Sequence, residues 1–94
     1  MIRVLIERHV ASEMEESYRA MLHEIRRDAV HAEGYISGET LRDHADAHHY
    51  VIISTWRSLH DWQRWASSSD RRTAMERMRP MLAEAEHVTA LEPV

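Results

Sequence analysis

Residues 34–65 read GYISGETLRDHADAHHYVIISTWRSLHDWQRW, and this stretch decides the fold. Tyr35 to about Arg42 has a strand pattern. Tyr50 to Trp56 is the most β-prone run in the chain, rich in β-branched and aromatic residues. Between them, His44 to His48 is a polar turn, and two strands joined by so short a turn form a hairpin. Ser58 then stands three residues before Asp61. That spacing satisfies orphan amides at a helix start, so a short helix is predicted through Trp62 and Trp65.

Upstream of this unit, Ile2 to Val10 alternates. Ile2, Val4 and Ile6 point one way, and Arg3, Leu5, Glu7 and His9 the other, which predicts a strand. Ser12 with Glu15 has capping-box spacing. Met14, Tyr18, Met21, Leu22, Ile25 and Ala29 follow as one helical stripe, which Gly34 is placed to end near Glu33. Downstream, Ser67 to Ser69 punctuate the chain. Asp70 to Arg79 reads as a helix carrying Ala74, Met75 and Met78. Pro80 breaks it, lacking an amide proton, and His87 to Leu91 is a last short strand.

The order βαββα(α)β predicts an α+β fold of the ferredoxin-like type, with a four-stranded antiparallel sheet and helices on one face, as a single domain over residues 1–94. Apolar side chains occur on both faces of the first and third strands. A second copy would cover the helix-free face, so a homodimer is expected. A chain of this length buries only roughly 60–65% of its unfolded surface by itself, which argues the same way.

Composition narrows the partners. The net charge is −4 with both signs mixed along the chain, so no track for nucleic acid or an anionic membrane is expected. Without cysteine there is no disulfide or thiolate metal site, and no apolar run approaches the ~20 residues of a membrane span. The first strand begins at Ile2, which leaves no room for a signal peptide, and the expected location is cytoplasmic. Eight histidines raise the question of a metal. Asp43, His44, Asp46, His48 and His49 crowd the hairpin turn, but a solvated turn offers little support behind the ligands, so no metal site is expected.

The segments GYISGETLRD, YVIISTWRS and WQRW resemble the antibiotic biosynthesis monooxygenase family, the dimeric α+β-barrel proteins. The most specific piece is Ile53 to Ser58, followed by an amphipathic helix with aromatic residues. The likeness extends over essentially the whole chain. It implies the dimeric barrel, and it brings in two kinds of activity besides members without one. One branch oxidises polyketides and quinols without a cofactor, another degrades heme, and other members have no assigned activity.

The heme-degrading pattern implies an asparagine on the first strand and a histidine ten residues after a helix tryptophan. Trp65 matches the tryptophan, whereas Glu7 and Met75 stand at the other two positions. The polyketide-oxidising pattern implies an asparagine, a strand-end tryptophan, a tyrosine and an arginine. Trp56 matches the tryptophan, Ile52 and Trp62 stand at the asparagine and tyrosine positions, and Arg77 is near the arginine position.

Oxygenation without metal or flavin needs an electron-rich substrate anion in a dry slot, an acceptor for its proton, and donors for developing negative charge. Trp56, Trp62 and Trp65 are the candidates for the slot, with Ile52 and Met75 beside them. His9 or Glu7 is the candidate base, and Arg77 or Arg72 the anion partner. The expected function is a small cofactor-independent monooxygenase acting on a planar aromatic or quinol-type compound. The alternative is a non-catalytic dimeric binder of a small apolar ligand, and a heme-degrading enzyme comes third. Each residue also has a structural alternative: core packing for the tryptophans, an exposed or dimer-facing strand for Glu7 and His9, and an ion pair for Arg77.

Overall fold

The alternating and helical stretches of the sequence become four strands and three helices in the computed structural model, which describes all 94 residues. They are β1 (Ile2–His9), α1 (Glu15–Ala29), β2 (Tyr35–Arg42), β3 (His49–Trp56), α2 (Leu59–Ala66), α3 (Ser69–Met78) and β4 (His87–Leu91), with a 3-10 turn at Arg79–Met81. The strands lie in the order β2-β3-β1-β4, every neighbouring pair antiparallel. This is the ferredoxin-like α+β arrangement that the sequence predicts.

Period-two alternation sorts β1 between the two sheet faces. Val4, Ile6, Arg8 and Val10 are buried under the helices, while Arg3, Leu5, Glu7 and His9 occupy the helix-free face. Helix α1 answers with Tyr18, Met21, Leu22 and Ile25 on one buried stripe. Trp56, Tyr18, Met78 and Val4 are the most deeply enclosed side chains. Trp56 sits edge-on to Tyr35 and to Trp62, with ring centroids 5.4 and 5.6 Å away, a favoured aromatic geometry.

The cap at Ser58 forms: its Oγ accepts the Asp61 amide at 3.1 Å. The predicted box at Ser12 does not form. Met14, not Ser12, precedes the first helical residue, and Glu13 takes a positive φ of 69°. The segment leaving β1 is first held by the sheet, with the Val10 and Ala11 amides donating to His48 and Met81 carbonyls, and only then turns into α1. That helix also stops at Ala29, short of Glu33. The His31 and Ala32 amides reach back three residues, tightening the chain toward Gly34, which takes the expected left-handed conformation (φ 84°) at the entrance to β2.

Candidate functional site

A cleft opens between the helix-covered sheet face and the helices. Its floor is Ile6 and Arg8 of β1 with Ile52, Ser54 and Trp56 of β3. Leu22, Ile25 and Ala29 of α1, Trp62 and Trp65 of α2, and Arg71 of α3 close over it. The lining residues that remain exposed are Arg26 of α1 and Gly38 and Glu39 of β2, so the mouth lies along the seam between that helix and the edge strand. The free volume is about 60 Å³. That is room for a few water molecules, whereas an apolar cavity taking a benzene ring measures about 150 Å³. A ring therefore enters only as the seam widens.

Polar groups are few and specific. Arg8 and Arg71 are both buried, and both reach Glu86 in the segment before β4. Arg8 Nε donates to Oε2 at 2.9 Å, and Arg71 Nη2 to Oε1 at 2.8 Å. Burial pushes the Glu86 carboxyl up, but the two guanidiniums outweigh that and hold it below the ordinary carboxylate range. Arg8 also donates to the Tyr18 hydroxyl at 3.3 Å and, at 3.8 Å, to the Met75 sulfur. Burial raises the Tyr18 pKa, so the phenol remains a neutral acceptor. Arg71 lies over the Trp62 ring at 5.4 Å, a cation–π contact. Ser54 Oγ accepts Trp56 Nε1 at 2.9 Å, and the buried Thr40 Oγ1 on the cleft wall has no partner.

The sequence-predicted site residues thus divide. Trp56, Trp62, Trp65 and Ile52 come together on the cleft wall. Met75 is buried in the core behind Arg8 and does not line the cleft. Glu7 and His9 lie on the helix-free face, because their parity in β1 is opposite to that of Ile6 and Arg8. There Glu7 lies 3.6 Å from His49, and His9 lies 3.3 Å from Glu84. Arg77 bridges the helix surfaces to Glu24 at 3.1 Å, and Arg72 is exposed. The buried arginines escaped the sequence reading although both were in phase. Arg8 alternates with Ile6 and Val10, and Arg71 precedes Ala74, Met75 and Met78 on their helical stripe. Glu86 lies in an irregular segment where no periodicity marks it.

Residues 1–77 match the family described as antibiotic biosynthesis monooxygenase. The chain belongs to the antibiotic biosynthesis monooxygenase family. Solved structures agree with that membership in fold. A conserved protein from Methanosarcina mazei Go1 superimposes with a TM-score of 0.93 at 12% identity, over 99% of this chain and 92% of that one. Rv0793 from Mycobacterium tuberculosis gives 0.88 at 18%, over 99% and 94%. A mutant of SnoaB, a cofactor-independent oxygenase from Streptomyces nogalater, gives 0.87 at 12%, over 98% and 91%. At such identities the likeness is one of fold. No curated protein matches the chain in sequence.

Within this monooxygenase-family chain no histidine lines the cleft, and no group of three or more His, Asp or Glu side chains is placed to hold a metal ion. No helix is long and apolar enough to cross a membrane.

Proposed function

We propose that this chain is a small cofactor-independent monooxygenase-like protein acting on a planar aromatic or quinol-type molecule in the tryptophan-lined cleft. One observation carries the reading. In a family of oxygenases, three indoles meet two buried guanidiniums in a slot whose wall also carries aliphatic side chains, Tyr35 and the hydroxyls of Thr40 and Ser54. Flat rings stack on indoles, and fixed cations in a water-poor slot favour the anionic form of a bound quinol or enol.

Such an anion passes one electron to dioxygen. Recombination of the radical pair forms a C–O bond. Cleavage of the O–O bond in the resulting hydroperoxide then turns a ring CH₂ into a carbonyl and releases one water. Both oxygen atoms and all four electrons are accounted for by the substrate and one dioxygen, so no external reductant enters. In this scheme Trp62 and Trp65 hold the ring, Arg8 and Arg71 offset its charge, and Ser54 and Thr40 offer hydroxyls to the developing oxygen anion.

The chain is proposed to work as a homodimer through the helix-free sheet face, where Leu5, Val51 and Ile53 of the central strands stand beside exposed Leu41 and Leu91 of the edges. A self-complementary two-fold pairing covers this patch on both copies at once.

Oxygen consumption with a panel of quinols and anthrones tests the enzyme reading. Uptake above the uncatalysed rate, reduced in Trp65→Ala, is the expected result. A second reading, a non-catalytic binder, is favoured by the small free volume of the cleft. Saturable fluorescence quenching without oxygen uptake would select it. The heme-degrading alternative is disfavoured, since the cleft has no imidazole to offer iron.

A further inference from the structure

Two buried cations on the wall of this cleft share one carboxylate that lies outside it. Arg8 and Arg71 are 2% and 8% exposed. Their bridging partner is Glu86, and the only other polar group on Arg8 besides the Met75 thioether is the neutral Tyr18 phenol. A guanidinium carries five N–H donors. That of Arg71 makes one hydrogen bond in the whole protein. The interior of the site therefore carries one uncompensated positive charge and several unspent donors, where an unpaired charge is costly. The mouth adds no net charge, since exposed Arg26 and Glu39 offset one another.

The cleft also has no internal base. Its lining contains no histidine and no aspartate, and its one glutamate lies at the mouth, on a strand position in register with Ile53 of the helix-free face. A substrate that must lose a proton before reacting finds a cation here and nothing to take the proton.

We infer that the site selects a planar arene that is already a monoanion when it binds, an ionised phenol or enol whose oxygen completes the charge balance of Arg8 and Arg71. The inference rests on the proposed function for the location of the ligand and narrows its chemistry. Hydroxyarenes and enols, quinols among them, fit when they are ionised at the pH of binding, and neutral hydrocarbons do not. Arg71 lies over the Trp62 ring, which sets its charge beside an indole of the slot, so it acts here as a specificity-determining residue.

4-Nitrophenol is a suitable probe, because it is a single ring, ionises near neutrality and turns yellow as the anion. 4-Nitroanisole has the same frame and cannot ionise. With the wild-type protein held below the phenol's own pKa, bound nitrophenol is expected to be yellow, its apparent pKa lowered by about one unit or more. Nitroanisole is expected to bind at least about tenfold more weakly, the equivalent of one such unit. Arg71→Met should abolish the colour shift, and Arg71→Lys, which keeps the charge, should retain most of it. If Arg71→Met does not fold, the wild-type pair of ligands and the lysine variant decide alone.

Colourless bound phenol, equal affinity for nitroanisole, or no binding of the phenolate would each overturn the inference. The two proposals fail separately. A bound phenolate with no oxygen uptake from any quinol removes the monooxygenase reading and leaves this one. Equal turnover of neutral and ionised quinols does the reverse.

Discussion

His9 lies flat on His49: the two imidazole rings are 4.5 Å apart and 2° from parallel, paired directly across β1 and β3 on the helix-free face. His49 Nδ1 lies 2.9 Å from Asp43 Oδ2, which fixes the ring at the hairpin end. This hydrogen bond raises the His49 pKa, against a smaller opposing effect of burial, and the same bond lowers that of Asp43. The charged imidazole is thus favoured in the folded state. Its contribution to stability is full below the ordinary histidine pKa of about 6.5 and is lost as pH rises through the raised folded value. That of Asp43 is present above its unfolded pKa and lost as pH falls through its lowered one. Histidine NMR titration should place His49 above the ordinary value, and Asp43→Asn should bring it back. A His49 that titrates normally in the native protein would refute this.

The Arg8–Glu86–Arg71 bridge predicts a large and pH-dependent stability effect. Glu86→Gln leaves two buried cations without an anion and should cost about 3–5 kcal/mol, the usual cost of removing one partner of a buried pair. Since the folded-state pKa of Glu86 is lowered, its contribution is present above the unfolded carboxylate pKa and disappears as pH falls through the folded value. Urea unfolding at neutral and acidic pH should therefore show a wide gap between wild type and variant that narrows in acid. A constant gap would mean that packing, not charge, holds this corner.

Trp56 and Trp65 both line the cleft, but Trp56 is the more enclosed and bonds Ser54. Trp56→Ala should cost about 3–5 kcal/mol, as large-to-small changes in a core do. Trp56→Phe, which keeps a ring and loses the indole donor, should cost less, with about 1 kcal/mol from the hydrogen bond. Calorimetric melting orders the three proteins. Equal melting of wild type and Trp56→Ala would show that this ring is not a core element.

The two glycines separate stability from access. A side chain at Gly34 meets the buried Asp61 carboxylate and forces a left-handed backbone on a residue with a Cβ, so Gly34→Ala should destabilise by about 1–3 kcal/mol from strain alone. At Gly38 the backbone is ordinary, and an added Cβ stands 2.6 Å from the Tyr35 hydroxyl, the movable end of a side chain on the cleft wall. Gly38→Ala should leave stability within about 1 kcal/mol while altering ligand affinity through Tyr35. Chemical denaturation and quencher titration of both variants test the pair of claims together.

Ile53 stands in the middle of the helix-free face, opposite Leu5. If that face joins two copies, light scattering should give about 22 kDa, twice the 11.1 kDa chain. Ile53→Arg should return it to a monomer, because a charge at the centre of an apolar interface has no partner. A monomeric wild type would exclude the dimer.

The fold was legible because each element carries its own period. Alternation over Ile2 to His9, the β-branched run ending at Trp56 and the stripe of α1 each declare themselves within one element, and Ser58 declares a helix start. Ser12 misled because cap spacing says nothing of where the sheet releases the chain. The candidate site was legible only in its aromatic half. Trp62 and Trp65 follow from helical spacing, whereas the meeting of Arg8, Arg71 and Glu86 depends on three separate elements converging, which no local pattern encodes. The same alternation that put Glu7 and His9 on one face required Arg8 on the other. A charged residue in a buried phase is the signal that was available.

The partners Arg8 and Glu86 are 78 residues apart in sequence. Until β4 docks, a folding chain that has already laid β1 under its helices holds an unpaired cation in an apolar layer. Early condensation around α1 and the hairpin is thereby penalised, and closure of so long a loop is slow and entropically costly. The segment that enters the last strand acts as a latch. Any form that lacks this contact bears the cost of an unpaired buried charge.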